Sequence, residues 1–291
     1  MTHPASRMVT PNGQVALITG ANTGIGRVTA TTLALQGYHV FLACRNQSKT
    51  EEVLRDIQQR SGGTAKAEFV SLDLGDLNSV QACAQHFLNK KMPLNLLINN
   101  AGLAGNKGLS SSGFELTFGV CHLGHFLLTQ LLMPALKAAP SARIVVVSSR
   151  AHLRVKGLDF DSLRQPTQSP GGLKEYCQAK LANMLFVKGL AKRLKGTGIT
   201  AYALHPGVVA TEVWRSVPGF LQPLIKLFMI SPEDGAQTTL YCATSPQAAG
   251  QSGLYYDRCK PVRYSQAADD EALVERLWAE SEAWVAQYTT V

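Results

Sequence analysis

The chain has no CxxC pair among its six cysteines (Cys44, Cys83, Cys121, Cys177, Cys242 and Cys259), which stand 17 to 65 residues apart. Zinc ligation needs at least one closely spaced pair of ligands, so no metal site is expected. Long apolar runs are missing too. No stretch reaches the roughly 18 uninterrupted apolar residues of a membrane span. The start, MTHPASRMVTPNG, is polar and lacks the apolar core of a secretory leader, and only about a dozen residues precede the first expected strand. A reduced, soluble, cytoplasmic protein without a spanning segment is expected.

Acids are scarce as well, 20 Asp and Glu against 28 Lys and Arg, a net charge of +8. Six of those acids fall in the last 25 residues, leaving 14 acids against 27 bases elsewhere. A nucleic-acid partner is still not expected, because no basic run exceeds two residues and no aromatics interleave with the bases. Diffuse positive charge suits a phosphate-bearing small ligand instead. With 45% hydrophobic and 16% charged residues the chain is neither disordered nor a disulfide miniprotein.

Short apolar runs alternate with longer amphipathic ones. Strands are expected over 14–19, 39–43, 67–71, 94–99, 143–148, 200–205 and 253–256. Helices are expected over 24–36, 48–59, 76–89, 114–138, 176–194 and 270–287. Continuously apolar strands are buried on both faces, and intervening helices make right-handed crossovers. The reading is a single α/β domain over 1–291, a doubly wound parallel sheet (Rossmann-like), with a polar tail at 1–13 and substrate-side loops at 150–172 and 212–230.

Gly20-Ala-Asn22-Thr23-Gly24-Ile25-Gly26 leaves the first strand and opens the first helix. Glycine lets backbone N–H groups approach a pyrophosphate, which then faces the positive end of the helix. The spacing is GxxxGxG, a variant of the generic fingerprint. About 20 residues further on, where an acid would hold the 2′-hydroxyl of NAD, stand Cys44-Arg45-Asn46. A guanidinium pairs with a 2′-phosphate that a carboxylate would repel, so NADP(H) is favoured over NAD(H). Tyr176 and Lys180, four residues apart, share one helical face. A phenol ordinarily titrates near pH 10, and a neighbouring ammonium favours its phenolate, which brings proton transfer within reach of neutral pH. Ser148 and Ser149 end the fifth strand, at the edge where open parallel sheets bind ligands.

Taken together, TGANTGIG, LDL at 72–74, NNAG at 99–102, VSS at 147–149, YCQAK at 176–180 and HPG at 205–207 resemble the short-chain dehydrogenase/reductase family, in order over residues 14–256. Within it, ACRN, FGVCHLGHFLLTQLL, AKLANMLF and HPGVVATE are similar to the retinol dehydrogenase branch. The resemblance implies Tyr176 as general acid and base, with Lys180 favouring the phenolate and holding the nicotinamide ribose. It implies Ser149 polarising the carbonyl, with Ser148 the weaker candidate. Asp73 would touch the adenine, Asn100 the cofactor ribose region and Thr211 the carboxamide. Leu74, Ala101, Gly102, Pro206, Gly207 and Val209 complete the implied cofactor set.

One departure stands out. Where that branch reads N-H-L-G-H-F, with an asparagine that supports a water-mediated proton relay to the lysine, this chain has Cys121. A thiol cannot replace an amide that both donates and accepts. Cys121 also reads simply as a small buried apolar residue. His122 and His125 are expected to pack or cap rather than bind metal; His152 and His205 read as loop and strand-end residues. The apolar stretch 213–230 is expected to form a lid over a greasy substrate, with peripheral contact to a membrane surface or a second subunit as the alternatives. In the last helix, Leu273, Leu277, Trp284 and Tyr288 suggest a docking or homo-oligomer face. The expected activity is NADP(H)-dependent hydride transfer involving an apolar aldehyde, ketone or alcohol. The alternative is a cofactor-binding regulatory protein whose catalysis Cys121 impairs.

Overall fold

The computed structural model describes residues 8–207 and 230–289. Val209, Thr211 and most of the expected lid lie outside the described residues.

Val15–Thr19 (β1), His39–Cys44 (β2), Ala67–Ser71 (β3), Leu96–Asn99 (β4), Ala142–Val147 (β5), Ile199–His205 (β6) and Tyr255–Asp257 (β7) form one parallel sheet, closed at one edge by the short antiparallel strand Lys260–Pro261 (β8). The order is β3-β2-β1-β4-β5-β6-β7-β8. Every residue of β1 and β4 is buried, as central strands covered on both faces require. Strand order reverses between β1 and β4, the switch point outside whose carboxyl ends open α/β sheets bind their ligands.

Helices cover both faces. Gly24–Leu35 (α1), Gln47–Arg60 (α2) and Pro232–Thr244 (here α7) cover one core, built on Ile18, Leu42, Ile98, Tyr202 and Tyr256. Leu77–Leu88 (α3), Gly124–Ala138 (α5) and Leu173–Arg193 (α6) cover the other, built on Leu17, Phe41, Leu97, Ile144 and Tyr255. α7 and β8 were not expected from the sequence.

The single helix expected over 114–138 is interrupted. One turn at Leu116–Phe118 (α4) runs into a π-helical turn at Gly119–Leu123 before α5 begins. A Cβ on Gly124 would meet the Leu74 carbonyl oxygen at 2.4 Å, and one on Gly119 the Ser110 Oγ at 2.9 Å. The two glycines let the chain press against neighbouring loops, and the wider turn between them absorbs the misfit. Leu116–Ala138 is, among the described residues, long and apolar enough to cross a membrane, yet 83% of its most apolar window is buried in the fold.

The last helix, Glu271–Val285 (α8 here), docks within its own chain. Its buried face is Val274, Leu277, Trp278, Ser281 and Val285, so the expected stripe is corrected by rotation; Leu273, Trp284 and Tyr288 are only partly buried. Gly189 of α6 makes the slot for Trp278, since a Cβ there would come within 2.7 Å of the indole. Arg193 lies over the indole at 3.9 Å and pairs with Glu275 at 2.6 Å; Lys192 pairs with Glu271 at 2.5 Å. The helix therefore buttresses α6.

Candidate active site

The glycine turn fits a pyrophosphate. Gly20 (φ +65°) and Gly24 (φ +52°) occupy left-handed backbone, and a Cβ on Gly26 would sit 2.2 Å from the Gly20 carbonyl oxygen. Thr23 caps α1 from an extended conformation without a side-chain hydrogen bond, and the first turn carries no acid. The amides at this end of α1 are thus open to an anion. Asn22 reaches across to the Asn46 carbonyl at 3.4 Å, joining this turn to the one after β2. Arg45 is exposed there and makes no ion pair among the described residues.

Asp73 is half-buried and accepts from Gly75 N at 2.9 Å. The Leu74 side chain belongs to the core. After β4, Asn100 and Ala101 both donate backbone N–H to Thr19 Oγ1 at 2.9 Å, and Asn100 Nδ2 donates to the Thr19 carbonyl at 2.8 Å. Gly102 is where the elements converge: a Cβ there would lie 3.4 Å from Lys180 Nζ and 3.5 Å from Cys121 Sγ. Pro206 and Gly207 follow β6, with Gly207 (φ +92°) against Ile230.

α6 carries Tyr176, half-buried, and Lys180, only 4% exposed. Lys180 Nζ stands 5.7 Å from the centre of the Tyr176 ring and donates to the Val147 carbonyl at 2.9 Å. Ser148 is buried and donates to the Lys180 carbonyl at 2.8 Å. That bond ties strand to helix and commits Ser148 to structure. Ser149 Oγ accepts from Ala151 N at 3.2 Å, so its hydroxyl proton remains available for another oxygen.

Cys121 is fully buried in the π turn, with Sγ 3.7 Å from the Leu103 carbonyl. Its own carbonyl accepts from His125 Nδ1 at 3.1 Å. The other imidazole nitrogen, Nε2, is 2.8 Å from Thr19 Oγ1. Because the carbonyl can only accept, His125 Nδ1 carries the proton and the threonine donates to Nε2. One buried chain of hydrogen bonds thus runs from the π turn through His125 and Thr19 to Asn100 and Ala101. Burial pushes His125 down to about 4 and His122 to about 3, so both are neutral. His122 packs against Phe118, Phe126 and Phe186 and meets Ser281 Oγ at 3.2 Å. Both histidines pack, as expected. Sequence reasoning missed Thr19 and the linking role of His125, although the i, i+4 spacing of Cys121 and His125 was a usable signal.

The stretch 150–172, expected as an irregular loop, contains 3₁₀ turns at Arg150–Arg154, Phe160–Arg164 and Pro170–Gly172. Two buried carboxylates anchor its far end. Glu115 accepts from Thr167 Oγ1 at 2.5 Å, and Glu175 accepts from Ser169 N at 2.9 Å and Gln168 N at 3.1 Å. Burial, opposed by the Thr167 hydrogen bond, raises the Glu115 carboxyl above its ordinary range.

A family model described as short chain dehydrogenase matches residues 14–159. The human protein called dehydrogenase/reductase SDR family member 13 (Homo sapiens) is 43% identical over 284 residues, 96% of this chain and 74% of that protein. Retinol dehydrogenase 11 of Mus musculus is 44% identical over 270 residues, 91% of this chain and 84% of that protein. Among solved structures, a 3-ketoacyl-(acyl-carrier-protein) reductase from Brucella melitensis complexed with NADH is 26% identical, with TM-score 0.66, covering 84% of this chain and 96% of that one. With relatives of this kind aligned along more than nine-tenths of its length, the chain belongs to the short-chain dehydrogenase/reductase family and to its retinol dehydrogenase branch, as an oxidoreductase that transfers hydride with a nicotinamide cofactor.

Proposed function

We propose that the protein is an NADP(H)-dependent oxidoreductase acting on apolar aldehydes, ketones or the corresponding alcohols, retinoid-like or lipid-derived. The observation that carries the cofactor preference is Arg45, exposed beside the glycine turn without an ion-pair partner among the described residues, where no acid ends β2. A guanidinium left open at that position suits a 2′-phosphate. Arg45→Asp is expected to shift the NADPH-to-NADH ratio of kcat/KM by about 100-fold, on the order of 3 kcal/mol. An unchanged ratio sinks the assignment.

The substrate class is supported by exposed apolar side chains, Leu109, Leu153, Leu173 and Ile230, in the segments that follow β4, β5 and β6 in the chain. Apolar residues in the segments beyond the carboxyl ends of the sheet favour a greasy molecule over a charged one. A panel of aldehydes and ketones followed by NADPH oxidation is the direct measurement. When bound, the nicotinamide supplies or accepts the hydride. Ser149 donates its free proton to the carbonyl oxygen, and Tyr176 delivers a proton to the same oxygen in the reducing direction. Lys180 supplies positive charge near the phenol from a buried position.

A second reading is favoured by one observation. The Cys121 side chain offers only a weak thiol contact, 3.7 Å from the Leu103 carbonyl, where an amide would both donate and accept. Proton relay through this position would be impaired, leaving a cofactor-binding regulatory protein. Cys121→Asn distinguishes the two. Under the regulatory reading, turnover rises by about 100-fold or more, the lower end of what positioned proton transfer contributes. Under the enzymatic reading it stays near the parent value.

A further inference from the structure

His152 lies three residues beyond Ser149 and is fully buried, though it belongs to a turn rather than to a helix or strand. Its Nδ1 is 2.6 Å from the Ser149 carbonyl oxygen, which also accepts the His152 backbone N–H at 3.1 Å. Its Nε2 is 3.1 Å from the backbone nitrogen of Ser265. A carbonyl only accepts and a backbone N–H only donates, so the imidazole is neutral with its proton on Nδ1. The Tyr255 ring stands edge-on, 4.6 Å away at 69°, and closes the space on that side. Burial lowers the His152 pKa, against the opposing pull of the Ser149 carbonyl, and so favours the same neutral form.

This imidazole holds the backbone from which the Ser149 hydroxyl projects. β5 ends at Val147, and Ser148 is fixed by Leu204 and Lys180. Ser149 has left the sheet. Its hydroxyl is steered by one long bond from Ala151 N, so its position follows from where the backbone of residue 149 is held. That backbone is extended (φ −165°, ψ 156°), and its carbonyl is gripped by His152.

We propose that His152 is a positioning residue for hydride transfer: by bridging the Ser149 carbonyl to the Ser265 N–H, it fixes the serine hydroxyl where the substrate oxygen must lie. The strut also makes the segment leading into the C-terminal helix part of the active-site scaffold. The inference rests on the role given to Ser149 above.

The test is a double-mutant cycle on the full chain, with steady-state kinetics for the best carbonyl of the panel, NADPH affinity by fluorescence and thermal melts. In His152→Ala, kcat falls about 10- to 100-fold, the scale of a misplacement near 1 Å, while NADPH affinity is unchanged. His152→Asn, whose amide reaches the Ser149 carbonyl but not Ser265, recovers part of the loss. In a Ser149→Ala background, His152→Ala costs nothing further, because the group it positions is gone. A kcat within twofold of the parent in a folded His152→Ala, or no recovery in His152→Asn, overturns the proposal. So does the same fold-loss in the Ser149→Ala background, which marks a merely structural role. A parent that turns over no carbonyl overturns the underlying reading of the site, and the His152 role with it; an active parent with any of the other failures overturns His152 alone.

Discussion

Tyr176→Phe is expected to lower kcat by about 10²- to 10⁴-fold, the usual worth of a positioned general acid, while leaving NADPH affinity intact. The separation follows from what the substitution removes. Phenylalanine keeps the ring that lies 5.7 Å from Lys180 Nζ and keeps the packing of α6. Lys180 stays held by the Val147 carbonyl at 2.9 Å, and that carbonyl also accepts from Asn183 Nδ2 at 3.3 Å. Neither contact involves the phenol. Only the transferable proton is lost. Stopped-flow hydride transfer in the reducing direction, read beside equilibrium NADPH titration, checks both halves. Wild-type turnover in this variant would remove Tyr176 from the chemistry, and loss of NADPH binding would make it a scaffold residue instead.

The strands and the glycine turn were legible because each is governed by local chemistry. β1, β2 and β5 are continuous apolar runs that only a doubly covered sheet accommodates. Gly20 and Gly26 signal backbone approach wherever they follow such a run. The interruption at 119–123 was not legible, because it depends on Gly124 meeting the Leu74 carbonyl and Gly119 meeting Ser110, partners distant in sequence. The same holds for the last helix. Its periodicity admits more than one stripe, and the slot at Gly189 selects the one with Trp278. Within the site, Tyr176 and Lys180 were found as residue types at helical spacing, and Ser149 through the family resemblance. Thr19, His125 and His152 were not, since a threonine or a histidine acquires its role from partners up to 113 residues away. Hydrogen-bond struts are a tertiary property, and a one-dimensional pattern does not encode them.

Those buried histidines carry the second large effect, on stability against pH. Burial holds His122 down to about 3, His125 to about 4 and His205 to about 4, against an ordinary 6.5. Between about pH 6.5 and 4 the unfolded chain therefore binds more protons at these positions than the native one. Folding stability is full above pH 6.5 and is lost as the pH falls. At pH 5, 1.5 units below the unfolded value, each group withholds about 2 kcal/mol, or about 6 kcal/mol for the three. Glu115, raised by burial, opposes the trend with one proton. Against a typical total of about 5–15 kcal/mol this is enough to bring unfolding within reach at mild acidity. Urea midpoints at half-unit steps from pH 7 to pH 5 should fall steadily. His122→Phe isolates one term: its ring already sits among Phe118, Phe126 and Phe186, and its Nδ1 has no hydrogen-bond partner among the described residues. The variant loses the Ser281 contact, which lowers stability at every pH, but its stability slopes less steeply by about 1.4 kcal/mol per pH unit, one proton. A parent whose stability is flat over this range, or a variant with the parent's slope, shows that these imidazoles take up protons without unfolding. In that event the network from Cys121 through His125 to Thr19 opens more easily than its burial implies.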